Sequence, residues 1–90
     1  MRNDLAVARW PQMPRYFFHV HDDIDALDEE GLEFPNSEAA LNGATGAARQ
    51  LAAEQVTQGK LHLDHRIEVA DDSGKVIATI AFRDCVEIEG

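Results

Sequence analysis

Alternation of side chains marks the first element. Arg15 to His21 (RYFFHVH) is rich in aromatic and β-branched residues, with Tyr16, Phe18 and Val20 on one face and Phe17, His19 and His21 on the other. That pattern predicts a strand. An acidic stretch, Asp22 to Glu30, runs to Gly31, and Leu32-Glu33-Phe34 then forms a short second strand that Pro35 stops. From Asn36 or Ser37 the period changes to that of a helix. Ala40, Ala44, Ala47, Ala48, Leu51, Ala52 and Gln55 fall on one narrow stripe of mostly small side chains. Asn36 and Ser37 are good N-caps, Glu38 suits the first turn, and Gly59 is placed to end the helix. Gly43 and Gly46 weaken the helix by up to about 1 kcal/mol each relative to Ala, a cost that contact with a sheet would explain.

The last third reads as a hairpin. His65 to Ala70 alternates, Asp71-Asp72-Ser73-Gly74 has turn chemistry in order, and Lys75 to Phe82 returns. Cys85 to Ile88 has the look of a short edge strand. The expected fold is therefore α+β: one helix on a small antiparallel sheet of three or four strands, in the order β-(β)-α-β-β. Residues 1–12 differ in character and read as an N-terminal extension, either disordered or a product of start-codon choice, before a single domain at 13–90.

The returning strand raises a problem of coverage. Val76, Ala78, Ile80 and Phe82 lie on one side of it, Ile77, Thr79 and Ala81 on the other, and Phe17 opposes Tyr16, Phe18 and Val20. One helix covers only one face of a sheet, and a sheet exposed on its other face shows cleaner alternation. A second copy of the chain, meeting Phe17, Ile77, Thr79 and Ala81, is the preferred cover, because two-fold dimers are the commonest oligomers. Residues 1–12, with Trp10, are one alternative; the other is that exposed Phe17 and Ile77 form a patch too small to need a cover.

Ninety residues with 8 basic and 17 acidic side chains, a formal net charge of −9, constrain the partners. The bases are scattered, so neither nucleic acid nor an anionic membrane is expected as a ligand. A chain of this length buries only about 60–65% of its unfolded surface, and its stability is expected to be on the order of 5 kcal/mol or less. Cys85 is the only cysteine, which excludes an intrachain disulfide and reads as a small buried hydrophobe. No apolar run reaches membrane-spanning length, and the expected location is the cytoplasm.

Candidate chemistry is sparse. His19 and His21 share a strand face about 6.5–7 Å apart at Cα, a spacing that suits a metal if His62, His65 or a loop acid joins them. The stretch HDDIDALDEEG fails as a calcium loop, since from Asp23 the position that requires Gly is Asp28. Its plain reading is a solvated loop. Ser37 and Ser73 are explained by cap and turn, and no nucleophile motif or P-loop occurs. No enzyme activity and no cofactor are expected.

Read together, MPRYFFHVH (13–21), the D-E-G segment at Asp28 to Gly31, S-E-A-A (37–40), R-I-E-V-x-D-x-x-G (66–74) and D-x-V-E-I (84–88) resemble a family of short bacterial proteins classed as a domain of unknown function. The resemblance implies no substrate or catalytic residue. Where such proteins often carry Trp before R-I-E-V, this chain has His65. A likeness of architecture alone connects the element order to small antitoxins that bind a toxin and dimerise. The function expected is an interaction or regulatory module, homodimeric through the sheet; the alternative is a metal or small-ligand module built on His19 and His21.

Overall fold

The computed structural model describes residues 13–90. The reading of residues 1–12 as an extension, and of Trp10 as a cover for the sheet, lies outside them. Strand β1 (Arg15–His21) is followed by β2 (Leu32–Glu33), helix α1 (Ser37–Thr57), β3 (Arg66–Ala70), β4 (Val76–Ala81) and a single helical turn, α2 (Phe82–Cys85). The sheet is antiparallel, in the order β2-β1-β3-β4. The α+β arrangement expected from the sequence is the one observed.

Asn36 caps α1, its side chain accepting the Ala39 N–H at 2.9 Å, and Gly59 closes the far end at φ +91°. Ala40, Ala44, Ala48 and Ala52 are buried against the sheet. Four methyl groups on one line let the helix axis sit close to the strands. The face it covers carries Tyr16, Phe18 and Val20 from β1, Ile67 and Val69 from β3, and Ala78 and Ile80 from β4. Gly43 meets the Phe34 ring, to which an added Cβ would come within 3.0 Å, whereas Gly46 has nothing within 4 Å. The contact role expected of both glycines therefore holds for Gly43 alone.

Two expectations change near the C-terminus. The register shifts between Val69 and Ala70, so Val69 pairs with Ala78 while Ala70 pairs with Val76. Ile77 is the extra residue of this bulge, and it packs against the helix-side core instead of joining Thr79 and Ala81 on the far face. The strand also ends one residue early. Phe82 turns inward to start α2, burying its ring and the Cys85 thiol, and residues 86–90 form no strand. A buried Phe and Cys three residues apart fit one helical turn and would point to opposite faces of a strand.

Candidate functional site

The acidic segment after β1 folds back along that strand. Val20 and Ala26 exchange backbone hydrogen bonds at 2.8 Å each way, and Tyr16 pairs with Leu32. Between these two contacts, a side chain takes over the work of a strand. The Asp28 carboxylate accepts N–H groups from Phe18 (3.1 Å), Glu30 (3.1 Å) and Gly31 (3.0 Å), while its own backbone N–H donates to His19 Nδ1 (3.0 Å). Partial burial opposes ionisation, but the N–H groups of Gly31, Phe18 and Glu30 outweigh it and hold the carboxyl below its usual range. Asp28 belongs to a stretch whose acidity reads in sequence as solvation; nothing in its periodicity signals a carboxylate standing in for a strand partner.

Of the residues singled out from the sequence, Phe17 is half-buried, opposite Ala70, with its ring against Gly31. Thr79 is exposed and Ala81 half-buried on the same face, and Ile77, half-buried, packs against the core. His19 and His21 do share this face, yet their nitrogens serve different partners. His21 lies between two carboxylates, Nδ1 to Asp25 at 3.0 Å and Nε2 to Glu68 at 2.8 Å. The hydrogen bond to Asp25 first, and that to Glu68 next, raise its pKa above the ordinary value.

A raised pKa means that the folded state favours the imidazolium. The resulting stability is complete below the unfolded-state value of about 6.5 and is lost as pH rises through the folded-state value. His21→Gln should therefore cost about 1 kcal/mol near pH 6, discounted for the exposure of Asp25, and distinctly less near pH 9. Urea midpoints of both proteins across that range test this; a gap that stays constant or widens with pH would contradict the clamp.

A second histidine cluster lies where α1 ends. His62 and His65 stack at 4.3 Å with their rings 11° apart, and the ligand atoms of His62, Asp64 and His65 all lie within 4.8 Å of one another. His65 is buried and His62 half-buried. Gln55 joins the two: its Oε1 accepts the His62 N–H at 2.8 Å, and its Nε2 lies 2.8 Å from His65 Nδ1. Asp23, from the acidic segment, reaches to 3.6 Å of His65 Nε2. In the sequence His62 and His65 appear only as possible helpers to the strand histidines. The H-x-x-H spacing just past a helix end was the available signal, and Gln55 reads there merely as part of the helix stripe.

No helix among the described residues is long and apolar enough to cross a membrane. An open groove of about 410 Å³ runs between α1 and the C-terminal segment, lined by Ala52, Val56, Leu61, Val86 and Ile88 with Arg49 and Glu87 among the polar groups.

Compared with known proteins, residues 15–83 match the family model described as a domain of unknown function (DUF6894). No curated protein and no solved structure matches the chain.

Proposed function

Since the chain belongs to the DUF6894 family, whose description assigns no activity, we propose on geometry alone that it is a non-catalytic interaction module that pairs with a second copy of itself along β4. The observation that carries this reading is the side of that strand left unpaired among the described residues. β4 has β3 as its one neighbour, and no group of the described residues outside β3 hydrogen-bonds it. Its six residues, VIATIA, include no charge and no proline. Edge strands are ordinarily guarded by Lys, Pro, inward charges or bulges, because their open backbone groups pair readily with another chain. Here the bulge sits at the start of β4, and Ala78 to Ala81 remain regular.

A two-fold axis through Thr79, normal to the sheet, sets Thr79 opposite its own copy and Ala78 opposite Ile80 of the partner copy. The sheet then continues through eight strands, with both helices on one side. Thr–Thr and aliphatic pairs of this kind contribute about 0.2–1 kcal/mol each. The reading keeps Thr79 and Ala81 at the interface, as the sequence pattern does, but moves the contact from the face of the sheet to its edge.

Native mass spectrometry is expected to give a dimer for the tag-free chain. Thr79→Lys, which sets two ammonium groups opposite each other, is expected to give a folded monomer by circular dichroism. A wild-type monomer throughout a concentration series would sink the proposal. So would a Thr79→Lys dimer that dissociates on Phe17→Asp, since that places the contact on the face.

A further inference from the structure

Among the described residues, the cluster at the end of α1 has a polar group without a partner. Because the His62 backbone N–H is only a donor, it fixes the Gln55 oxygen on its own side, so the Gln55 amide nitrogen donates to His65 Nδ1. The neutral His65 ring therefore carries its proton on Nε2. That atom has no hydrogen-bond acceptor among the described residues: the nearest carboxylate oxygen, on Asp23, is 3.6 Å away. His65 is only 8% exposed. A buried ring nitrogen left unpaired, in a ring stacked on a second imidazole and with the Asp23 carboxylate 3.6 Å away, is unusual, because buried polar groups are ordinarily satisfied.

We infer that this corner is a zinc site, with His65 Nε2, His62 and Asp64 as ligands and exposed Asp23, which lies outside their 4.8 Å group, swinging in to close the fourth position. Two imidazoles and two carboxylates suit a borderline divalent ion, and four donors match the tetrahedral preference of zinc. Zinc with ligands at about 2.0–2.1 Å holds donor atoms roughly 3.3–3.4 Å apart. The donors of His62, Asp64 and His65, within 4.8 Å of one another, therefore close in by an ångström or so. Exposed Asp64 and loop-borne His62 have that freedom. His62 also leaves its stack, since two parallel rings cannot both aim a lone pair at one point.

The proton must move as well. His65 binds through Nε2 only when its ring proton sits on Nδ1, and Nδ1 then needs an acceptor. Gln55 supplies one by turning its amide over, which takes its oxygen from the His62 N–H. The wild-type site thus gives up one hydrogen bond on loading. A carboxylate at position 55 would accept from both donors without turning, and carboxylates behind a metal-bound histidine typically change affinity 10- to 100-fold.

The test is a calorimetric titration of the chelator-treated full chain with zinc near pH 7.5, beside variants checked for fold by circular dichroism. One zinc per chain is expected, weakened at least tenfold by His62→Gln or Asp64→Asn, both outside the core. Gln55→Glu should tighten it about tenfold or more. His19→Ala with His21→Ala should leave it unchanged. The absence of saturable binding in both wild type and Gln55→Glu would overturn the site. Binding indifferent to His62→Gln and Asp64→Asn, or lost with the strand histidines, would overturn it equally. Because β4 lies outside this cluster, the result is separable from that of the dimer test.

Discussion

Phe82→Ala is expected to leave a large fraction of the chain unfolded at room temperature. The ring is 1% exposed and, among the described residues, is one of the three largest fully buried side chains, with Ile67 and Val69. It meets the His65 ring edge-on at 5.8 Å, and its N–H donates to the His65 carbonyl at 2.8 Å. Truncating a buried Phe costs about 3–5 kcal/mol. A domain of this size has about that much in total. The substitution also removes the residue that turns β4 into α2 and brings Cys85 inward. Urea unfolding followed by circular dichroism reads the effect, and Phe82→Leu should retain distinctly more stability than Phe82→Ala. A loss below about 1 kcal/mol for Phe82→Ala would mean that α2 does not pack as described.

Gly31→Ala should rank next, at roughly 3 kcal/mol, from two costs that can be separated. Gly31 has φ +70°, a region that costs an ordinary residue about 1–2 kcal/mol. There is also no space: an added Cβ would lie 2.7 Å from the Tyr16 carbonyl oxygen and 2.9 Å from the Phe17 ring. Backbone must shift to admit it. The loop would lift from β1, taking with it the Asp28 carboxylate that receives the Phe18, Glu30 and Gly31 N–H groups. Gly74→Ala is the control, with φ +88° and nothing within 4 Å, and should show the conformational cost alone. Hydrogen exchange at the Phe18 amide adds a local reading. It should quicken in Gly31→Ala and stay slow in Gly74→Ala; equal losses of stability in the two variants would refute the close approach.

These two sites show what the amino-acid pattern carried and what it did not. The helix was legible because its signals are local: a cap at Asn36, an alanine every fourth residue, a glycine past the end. The Asp71 turn was legible for the same reason, its carboxylate accepting from Ser73 and Lys75 as the letters suggest. The position of Ile77 was not, because a one-residue bulge reverses the inward and outward assignment and leaves no mark on composition. Phe82 reads as the end of a strand by alternation; only the burial of Cys85 three residues on makes a helical turn the better solution. The role of Asp28 depends on backbone brought from ten residues away, which no periodicity records. As for the histidines, the eye goes to the strand pair, whose shared face is evident from spacing, while the pair at 62 and 65 gains its setting from Gln55 and Asp23 only after folding.

The alanine stripe has a mechanical consequence. Ala40, Ala44, Ala48 and Ala52 are interchangeable methyl groups set about one turn apart, so by themselves they form a smooth rail along which α1 could slide by four residues, about 6 Å, and meet the sheet equally well. Phe34 removes that freedom. Its ring lies against Gly43, where even one added carbon would come within 3.0 Å, and a slide of one turn would bring Ala39 or Ala47 to that ring. A single missing methyl beside the rail, at Gly43, thus works as a keyway, and the aromatic ring just before the helix as its key. The helix is indexed along its length by an absence, and a methyl restored there would take away the mark that distinguishes one turn from the next.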